Sequence, residues 1–332
     1  MTRFVLRLLA LAALATALTA SPALAGHRTA KADPNQGIVD IYTTLGYQQS
    51  QAAGTGIVVT ANGEVLTNNH VIRGATRLSA VDVTTGRRYT ARVVGYDVAD
   101  DVAVLRLVGA AHLRTVALGN SAVLRTGAAV RAIGNAQGRG GKPSVAAGKV
   151  TGLHRSIVAS DDQGGSETLT NLIATNAAVE PGDSGGPLVN AAGRVVGIVT
   201  AGSTGFAFQA SATRGFAIPI NKVRAIAKQI VAGHASPRLH VGPTAFLGVS
   251  LDSRASGGAG VYDVVPGSAA EAAGLQGGDV ITSLDGKPVA SQSDLQGVVL
   301  ALKPGQAVAI EWTDRLGTAQ TGTITPASGP PQ

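Results

Sequence analysis

"NAAVEPGDSGGPLVN", Asn176 to Asn190, decides how the rest of the chain is read. Ser184 sits among Gly182, Gly185 and Gly186, with Pro187 behind it. A lone serine in such a stretch is usually structural, because glycine, proline and serine all form turns. A reactive serine needs a base to take its proton and a carboxylate to hold that base. The string G-x-S-x-G serves two unrelated arrangements of this kind. One presents the serine on a sharp elbow between a strand and a helix, with an acid and then a histidine downstream. The other has histidine and then aspartate upstream.

Context excludes the elbow. Gly185, Gly186 and Pro187 make a poor helix start, and the run that follows, "VVGIVT" (Val195 to Thr200), is β-branched and strand-like. The downstream histidines, His234 and His240, lie in "HASPRLHVGP", residues 234–243, which reads as a linker. Upstream, "VLTNNHVI" puts His70 just past a strand, and "GYDVADDVAVLRL" puts Asp101 before an apolar strand that ties a carboxylate to the core. His70, Asp101 and Ser184 thus stand in the second order. Asp97 and Asp100 are rivals for the carboxylate position. His112 and His154 have no comparable context and read as structural.

The composition agrees with an all-β body. Of 332 residues 45% are hydrophobic but 3% aromatic, so Ala, Val, Leu and Ile fill the core, and 44 glycines supply the turns. Gly56–Thr60 and Glu64–Thr67 flank Asn62-Gly63, a hairpin signal. Short strands are expected over Tyr89–Val94, Val102–Leu107, Ala128–Ile133, Ser144–Leu153, Arg194–Thr200 and Phe216–Pro219. Val223, Ile226, Ala227, Ile230 and Val231 have helical spacing, with Asn221 as cap and Gly233 as stop. "GNAQGRGG", Gly134–Gly141, lacks the G-K-[ST] of a phosphate loop and reads as a plain loop. Beyond residue 243 lies a small α+β unit. Ser268 and Glu271 form a capping box there, and a helix capped by Ser291 carries Leu295, Val298, Val299 and Leu302 on one face.

Partners and compartment are bounded by the same reading. The absence of cysteine excludes thiol catalysis and cysteine metal sites, and neither metal nor cofactor is expected. The formal charge of +7 is scattered, with Arg87-Arg88 the only basic pair, so no nucleic-acid partner is expected. Residues 1–25 read as a signal peptide: Arg3 and Arg7, an apolar Leu8–Ala20, then Ala23-Leu24-Ala25. A retained anchor is the rival reading, opposed by Pro22 and the short apolar run.

With "TNNHVI", "DDVAVLRL", "PGDSGGPL", "GRVVGIVT", "GFAIPI" and "GPTAFLG" in hand, the chain resembles the secreted HtrA (DegP-like) serine proteases, and among them the mycobacterial PepA type. The resemblance runs from about Gly37 to Ala327. It implies a mainly β fold: a chymotrypsin-like double β-barrel protease domain over 37–233, after a 26–36 lead-in, then the 234–243 linker. A small α+β PDZ domain follows over 244–327, with a frayed 328–332 tail. It implies Ser184 as nucleophile, His70 as base, Asp101 as its orienter, and the Gly182 and Ser184 amides as oxyanion hole. Activity is then expected to fall as His70 becomes protonated. Ala178 is expected at the base of the S1 pocket, favouring small or medium aliphatic residues. Thr200, Ala201 and Gly202 would pair with the substrate backbone. In the PDZ unit Phe246, Leu247, Gly248 and Val249 would hold a peptide C-terminus, with Leu295 and Val299 as the other wall. "SDDQGGSE", 160–167, stands where the family keeps a loop that senses PDZ occupancy. The expected partners are protein or peptide substrates, and the family allows a homotrimer. The short "GYQQSQAAG" argues against a large cage. A non-hydrolytic chaperone or adaptor on the same fold is the alternative, and an exported esterase a further one. Asp183, where the family usually has Asn, has no role assigned by the resemblance.

Overall fold

Strand β1 (Ile38–Leu45) runs antiparallel to β2 (Ser50–Val58), which pairs with β3 (Glu64–Thr67) across the Asn62-Gly63 turn. A one-turn helix α1 (Asn69–Ile72), then β4 (Arg77–Asp82), β5 (Arg88–Asp97) and β6 (Val102–Leu107) complete the first sheet, which β5 and β6 close into a barrel. The second barrel is also closed: β7 (Ala129–Gly134), β8 (Ser144–Ser160), β9 (Ser166–Thr175), β10 (Pro187–Asn190), β11 (Val195–Val199) and β12 (Gly215–Pro219). This computed structural model describes residues 36–160, 166–200, 215–236, 238–252 and 254–332. The signal-peptide reading, all but the last residue of the lead-in, and Ala201 and Gly202 lie outside them. None of the described helices is long and apolar enough to cross a membrane.

Each barrel has its own apolar interior, and a third cluster seals the seam between them. Ile38, Ile57 and Val104 of the first barrel meet Ile133, Val189, Ile198 and Ile218 of the second there. Helix α2 (Ile220–Val231) covers this seam with Val223, Ile226 and Ile230. Its expected cap is corrected: Asn221 lies inside the helix, because β12 runs into α2 with Pro219 at the N-cap position and no side-chain cap. One orphan N–H of the first turn is met from across the chain, Asn221 N–H donating to Ser121 Oγ at 3.2 Å.

The stretch read as a linker holds a strand. β13 (Leu239–Val241) adds to the edge of β5, and Gly95 admits it: a Cβ there would strike the His240 carbonyl and stand 2.8 Å from Ile230. His240 is buried, its ring against Tyr96 and its nitrogens facing the carbonyls of Leu300 and Gly242.

The C-terminal unit begins with β14 (Thr244–Phe246), β15 (Val249–Asp252), β16 (Ala259–Val264), α3 (Ala269–Ala272) and β17 (Val280–Leu284). β18 (Lys287–Pro288), α4 (Gln292–Ala301), β19 (Val308–Thr313), β20 (Ala319–Ile324) and β21 (Ala327–Gly329) follow. Ser268 and Ser291 cap α3 and α4 as read from the sequence. β15 is an edge strand of the larger sheet, and β14 pairs with β21. The tail expected to fray is docked instead. Pro330 and Pro331 are buried, Gly74 N–H donates to Pro331 O at 2.8 Å, and Asn69 Nδ2 donates to Gln332 O at 2.9 Å. Gln332 N–H in turn donates to Tyr96 Oη at 3.2 Å.

Candidate active site

The loop carrying Ser184 is shaped by glycines that no other residue could replace. Gly182 (φ +93°) and Gly185 (φ +86°) adopt left-handed backbone. A Cβ on Gly182 would strike the Asn135 carbonyl, and one on Gly185 the Thr55 carbonyl and Thr67 hydroxyl. The second barrel's loop therefore seats directly on β2 and β3 of the first. Thr55 N–H donates to Ser184 O at 2.8 Å, and Gly185 N–H to Val199 O at 2.8 Å. Ser184 is buried.

Thr67 leads into α1, which carries His70 as its second residue. Gly54 on β2 lies between this helix and the serine loop: a Cβ there would stand 2.6 Å from Val71 Cγ1 and 3.2 Å from Ser184 O. Asp101 sits on the turn between β5 and β6 and is buried. Its φ of +51° is a conformation that Asp tolerates better than most residues. Asn68 Nδ2 donates to its carbonyl at 2.9 Å. Its carboxylate accepts from His70 N–H at 2.9 Å through Oδ1, meets His70 Nδ1 at 2.8 Å through Oδ2, and accepts from Thr200 Oγ1 at 3.0 Å. Burial pushes the Asp101 carboxyl up, but the His70 charge and these hydrogen bonds outweigh it and hold it below the usual carboxylate range. The rivals point elsewhere. Asp100 pairs with Lys222 at 2.6 Å and Arg238 at 3.2 Å, and Asp97 accepts from Asp100 N–H at 3.0 Å.

Beside Ser184 a second set of bonds fixes the turn at Gly182. Gln137 N–H donates to Pro181 O at 2.6 Å. The peptide is planar and trans, so the Gly182 N–H on its opposite edge points away from Gln137. Thr55 Oγ1 donates to Gly182 O at 2.7 Å and accepts from Asn135 N–H at 2.9 Å. The Gly134–Gly141 stretch, read as a plain loop, is thus part of the site. Sequence reasoning missed Thr55, Asn135 and Gln137. The signal available was the cluster of four glycines around Gln137, which marks a backbone shaped for close contact. Asp183 is also accounted for: its carboxylate accepts from Ser144 Oγ and from Glu180 N–H, both at 2.9 Å, and burial raises its pKa.

Not every expected residue gathers here. Ala178 is exposed on the turn after β9. Thr200 spends its hydroxyl on Asp101 and its N–H on Phe216 O. In the C-terminal unit, Leu247 and Gly248 lead into β15, which Val249 opens, with Gly248 at φ +86°. Phe246 stacks on Tyr47 of the β1–β2 hairpin, ring centroids 5.0 Å apart. Leu295 and Val299 are buried in the core of the unit. Two clefts of about 680 and 810 Å³ lie under α2 and beside β1 and β4, and neither is lined by His70, Asp101 or Ser184.

A double barrel that carries a buried Asp–His pair and a glycine-shaped serine loop defines the trypsin-like peptidases. The trypsin-like peptidase domain family matches residues 54–198, and the PDZ domain family matches residues 245–319. The chain is 35% identical over 306 residues to the serine protease PepD of Mycobacterium tuberculosis, covering 87% of this chain and 63% of that protein. It is 35% identical over 278 residues to the periplasmic serine endoprotease DegP of Escherichia coli K12, covering 79% of this chain and 54% of DegP. The solved HtrA-type protease AlgWS227A with tripeptide superimposes with a TM-score of 0.52 at 30% identity, over 91% of this chain and 96% of that one. The chain belongs to the HtrA-type serine proteases. It spans about three-fifths of the length of PepD and a little over half of DegP.

Proposed function

We propose that the chain is an exported serine endopeptidase that cleaves misfolded or specific envelope and extracellular proteins. In this reading Ser184 attacks the scissile carbonyl, His70 takes and then returns the proton, and Asp101 orients the imidazole. The Gly182 and Ser184 amides hold the oxyanion. The observation that carries the reading is the Asp101 carboxylate, buried yet bonded to both the backbone and the ring of His70. A buried carboxylate in that position fixes one tautomer and favours the imidazolium that forms during attack. The resemblance, not a contact in the structure, is what assigns uncharged Ala178 to the S1 pocket; on that assignment cleavage follows small or medium aliphatic residues, and a peptide-library profile dominated by Lys or Arg would overturn it.

The PDZ unit binds peptide C-termini at Phe246–Val249. The open edge of β15 favours it, since an extended peptide can add there as a further strand. Export by residues 1–25 matches the periplasmic DegP and DegQ among the relatives.

Fluorophosphonate labelling of the purified protein, with Ser184→Ala as control, tests the chemistry. Label on Ser184 together with casein digestion is expected. Label without casein digestion would favour an esterase, and no label at all the non-hydrolytic adaptor.

A further inference from the structure

Arginines that lie scattered in the sequence are gathered by the fold. Arg77 lies on β4, and Arg88 and Arg92 on β5. All three are exposed, and all three line the cleft of about 810 Å³ beside β1 and β4. None of them has an ion pair among the described residues. No Asp or Glu lines the cleft. The acids of the strands beneath it, Asp40, Asp82 and Asp97, are buried and take no part in its lining.

Strand register sets the spacing. Tyr42, Ser79 and Thr90 stand opposite one another across β1, β4 and β5. Residues two apart on a strand share a face, so Arg77 flanks this row on β4, and Arg88 and Arg92 flank it on either side on β5. Arg88 and Arg92 start about 13 Å apart along the strand. Antiparallel order brings Arg77 and Arg92 to one end of the row, two like charges with no acid to offset them. Arg88, at the other end, is held in place. Its guanidinium lies 5.1 Å over the Tyr42 ring, and Nη1 donates to Ser79 Oγ at 2.8 Å. A neutral ring and a hydroxyl fix the group without neutralising it, and its remaining N–H donors are unspent.

Hydroxyls stand between these two basic poles and around them. Thr44, Thr90 and Ser328 line the cleft, and their hydroxyls make no hydrogen bond among the described residues. Gly242 and Thr244 complete the lining from the side of the C-terminal unit.

The chemistry of an occupant follows. Each of β1, β4 and β5 is paired on both sides, so a peptide backbone finds no open edge here. Side chains alone must hold the ligand. Guanidinium forks match phosphate oxygens, and hydroxyl donors from other directions suit a tetrahedral group. Poles this far apart call for more than one phosphate, and the volume is that of a small-molecule site, not of a single ion. A recess walled by two units admits a soluble chain more readily than a lipid surface.

We propose that this cleft binds a soluble ligand carrying several phosphate groups, which bridges Arg88 at one pole and the Arg77–Arg92 pair at the other. No triad residue lines the cleft, so the inference stands apart from the protease reading and survives its failure. Because the lining comes from both units, a bound ligand also ties them together.

Inorganic tripolyphosphate is the probe, titrated calorimetrically into the whole chain at low salt. One site per chain is expected, with an affinity that falls as salt is added, because exposed charges are screened. Orthophosphate reaches only one pole and is expected to bind at least about tenfold more weakly. Arg88→Gln combined with Arg92→Gln is expected to weaken tripolyphosphate about a hundredfold, roughly tenfold for each charged hydrogen bond lost. Arg125→Gln combined with Arg155→Gln removes the same charge from exposed positions outside the cleft. That pair is expected to change the affinity less than about twofold. An equal loss in the two double variants would reduce the effect to net charge and overturn the proposal. So would the absence of tripolyphosphate binding, or equal affinity for orthophosphate or for polyglutamate. Capture by phosphatidylglycerol vesicles without tripolyphosphate binding would assign the arginines to a lipid surface instead. Hydrogen exchange on the unaltered chain needs no variant: tripolyphosphate is expected to slow the amides of Gly242, Thr244 and Ser328. Unchanged exchange there would put the ligand outside the cleft and overturn the site.

Discussion

Thr55 shows how much of this site hangs on single polar atoms. Its hydroxyl joins Gly182 O to Asn135 N–H, partners 127 and 80 residues away in sequence. Thr55→Val keeps the shape and removes both bonds. The variant is expected to lose about tenfold or more in kcat with little change in KM, measured by steady-state peptide hydrolysis, and on the order of 1–3 kcal/mol of stability. Asp101→Asn abolishes the carboxylate that fixes the His70 tautomer, and kcat is expected to fall on the order of 10³–10⁴-fold. The two buried acids have opposite pH signatures. The lowered pKa of Asp101 means that it supports the fold above the usual carboxylate range and loses that support as pH falls through its own value. Asp40, raised from 3.8 to about 6, supports the fold only when protonated. Its contribution is complete below pH 3.8 and lost as pH rises through 6, on the order of 2–3 kcal/mol. Asp40→Asn is therefore expected to melt higher than wild type at pH 8 and at the same temperature near pH 4. The pairing of His70 with Asp101 and the glycine-shaped turn at Ser184 were legible because each residue sits in a distinctive local string. Thr55, Asn135 and Gln137 were not, since one hydroxyl or amide acting on a distant part of the chain leaves no pattern of its own beyond the glycines around Gln137.

At the scale of elements, the legible parts were those whose apolar period and turn residues agree. Val102–Leu107 matches β6 residue for residue, and the Ser291-capped helix matches α4. The misreadings share one cause: tertiary partners override local sequence. Asn221 is a strong capping residue, yet β12 runs straight into α2 with Pro219 at the N-cap position, and Ser121 meets the Asn221 N–H instead. β13 is three residues long and followed by Gly242, and it is a strand because the edge of β5 offers partners. Helix α2 is where such packing does most for the two barrels. Ile230 is buried in the inter-barrel cluster, and Ile230→Ala is expected to cost about 2–4 kcal/mol in chemical denaturation. Because Ile230 lies on α2 and none of the hydrogen bonds that build the site involves it, activity should decline only in step with the unfolded fraction.

Across the whole molecule, the PDZ unit is fastened to the protease unit at several separate places. Tyr47 stacks on Phe246, His240 bridges to Leu300, and the 330–332 tail reaches α1 and Tyr96. Deleting residues 330–332 is expected to raise hydrogen exchange over 69–74 while leaving the PDZ core protected, because that core is an apolar cluster of its own. Unchanged exchange over 69–74 would show the tail to be a passive passenger. Combining the deletion with Tyr47→Ala is expected to weaken the attachment by more than the two effects added, as for coupled contacts.

The bond between Asn69 and Gln332 joins residues 263 apart in the chain. In equilibrium terms so long a loop costs little more than one half its length, because closure entropy grows only with the logarithm of length. In time the effect is larger. A chain emerging from a ribosome makes His70 early, yet the helix that carries it receives this contact only after residue 332 has appeared. Until then the two barrels can close and their core can form, with the helix held at one point fewer. The helix that carries His70 is thereby completed by a contact made long after its own residues.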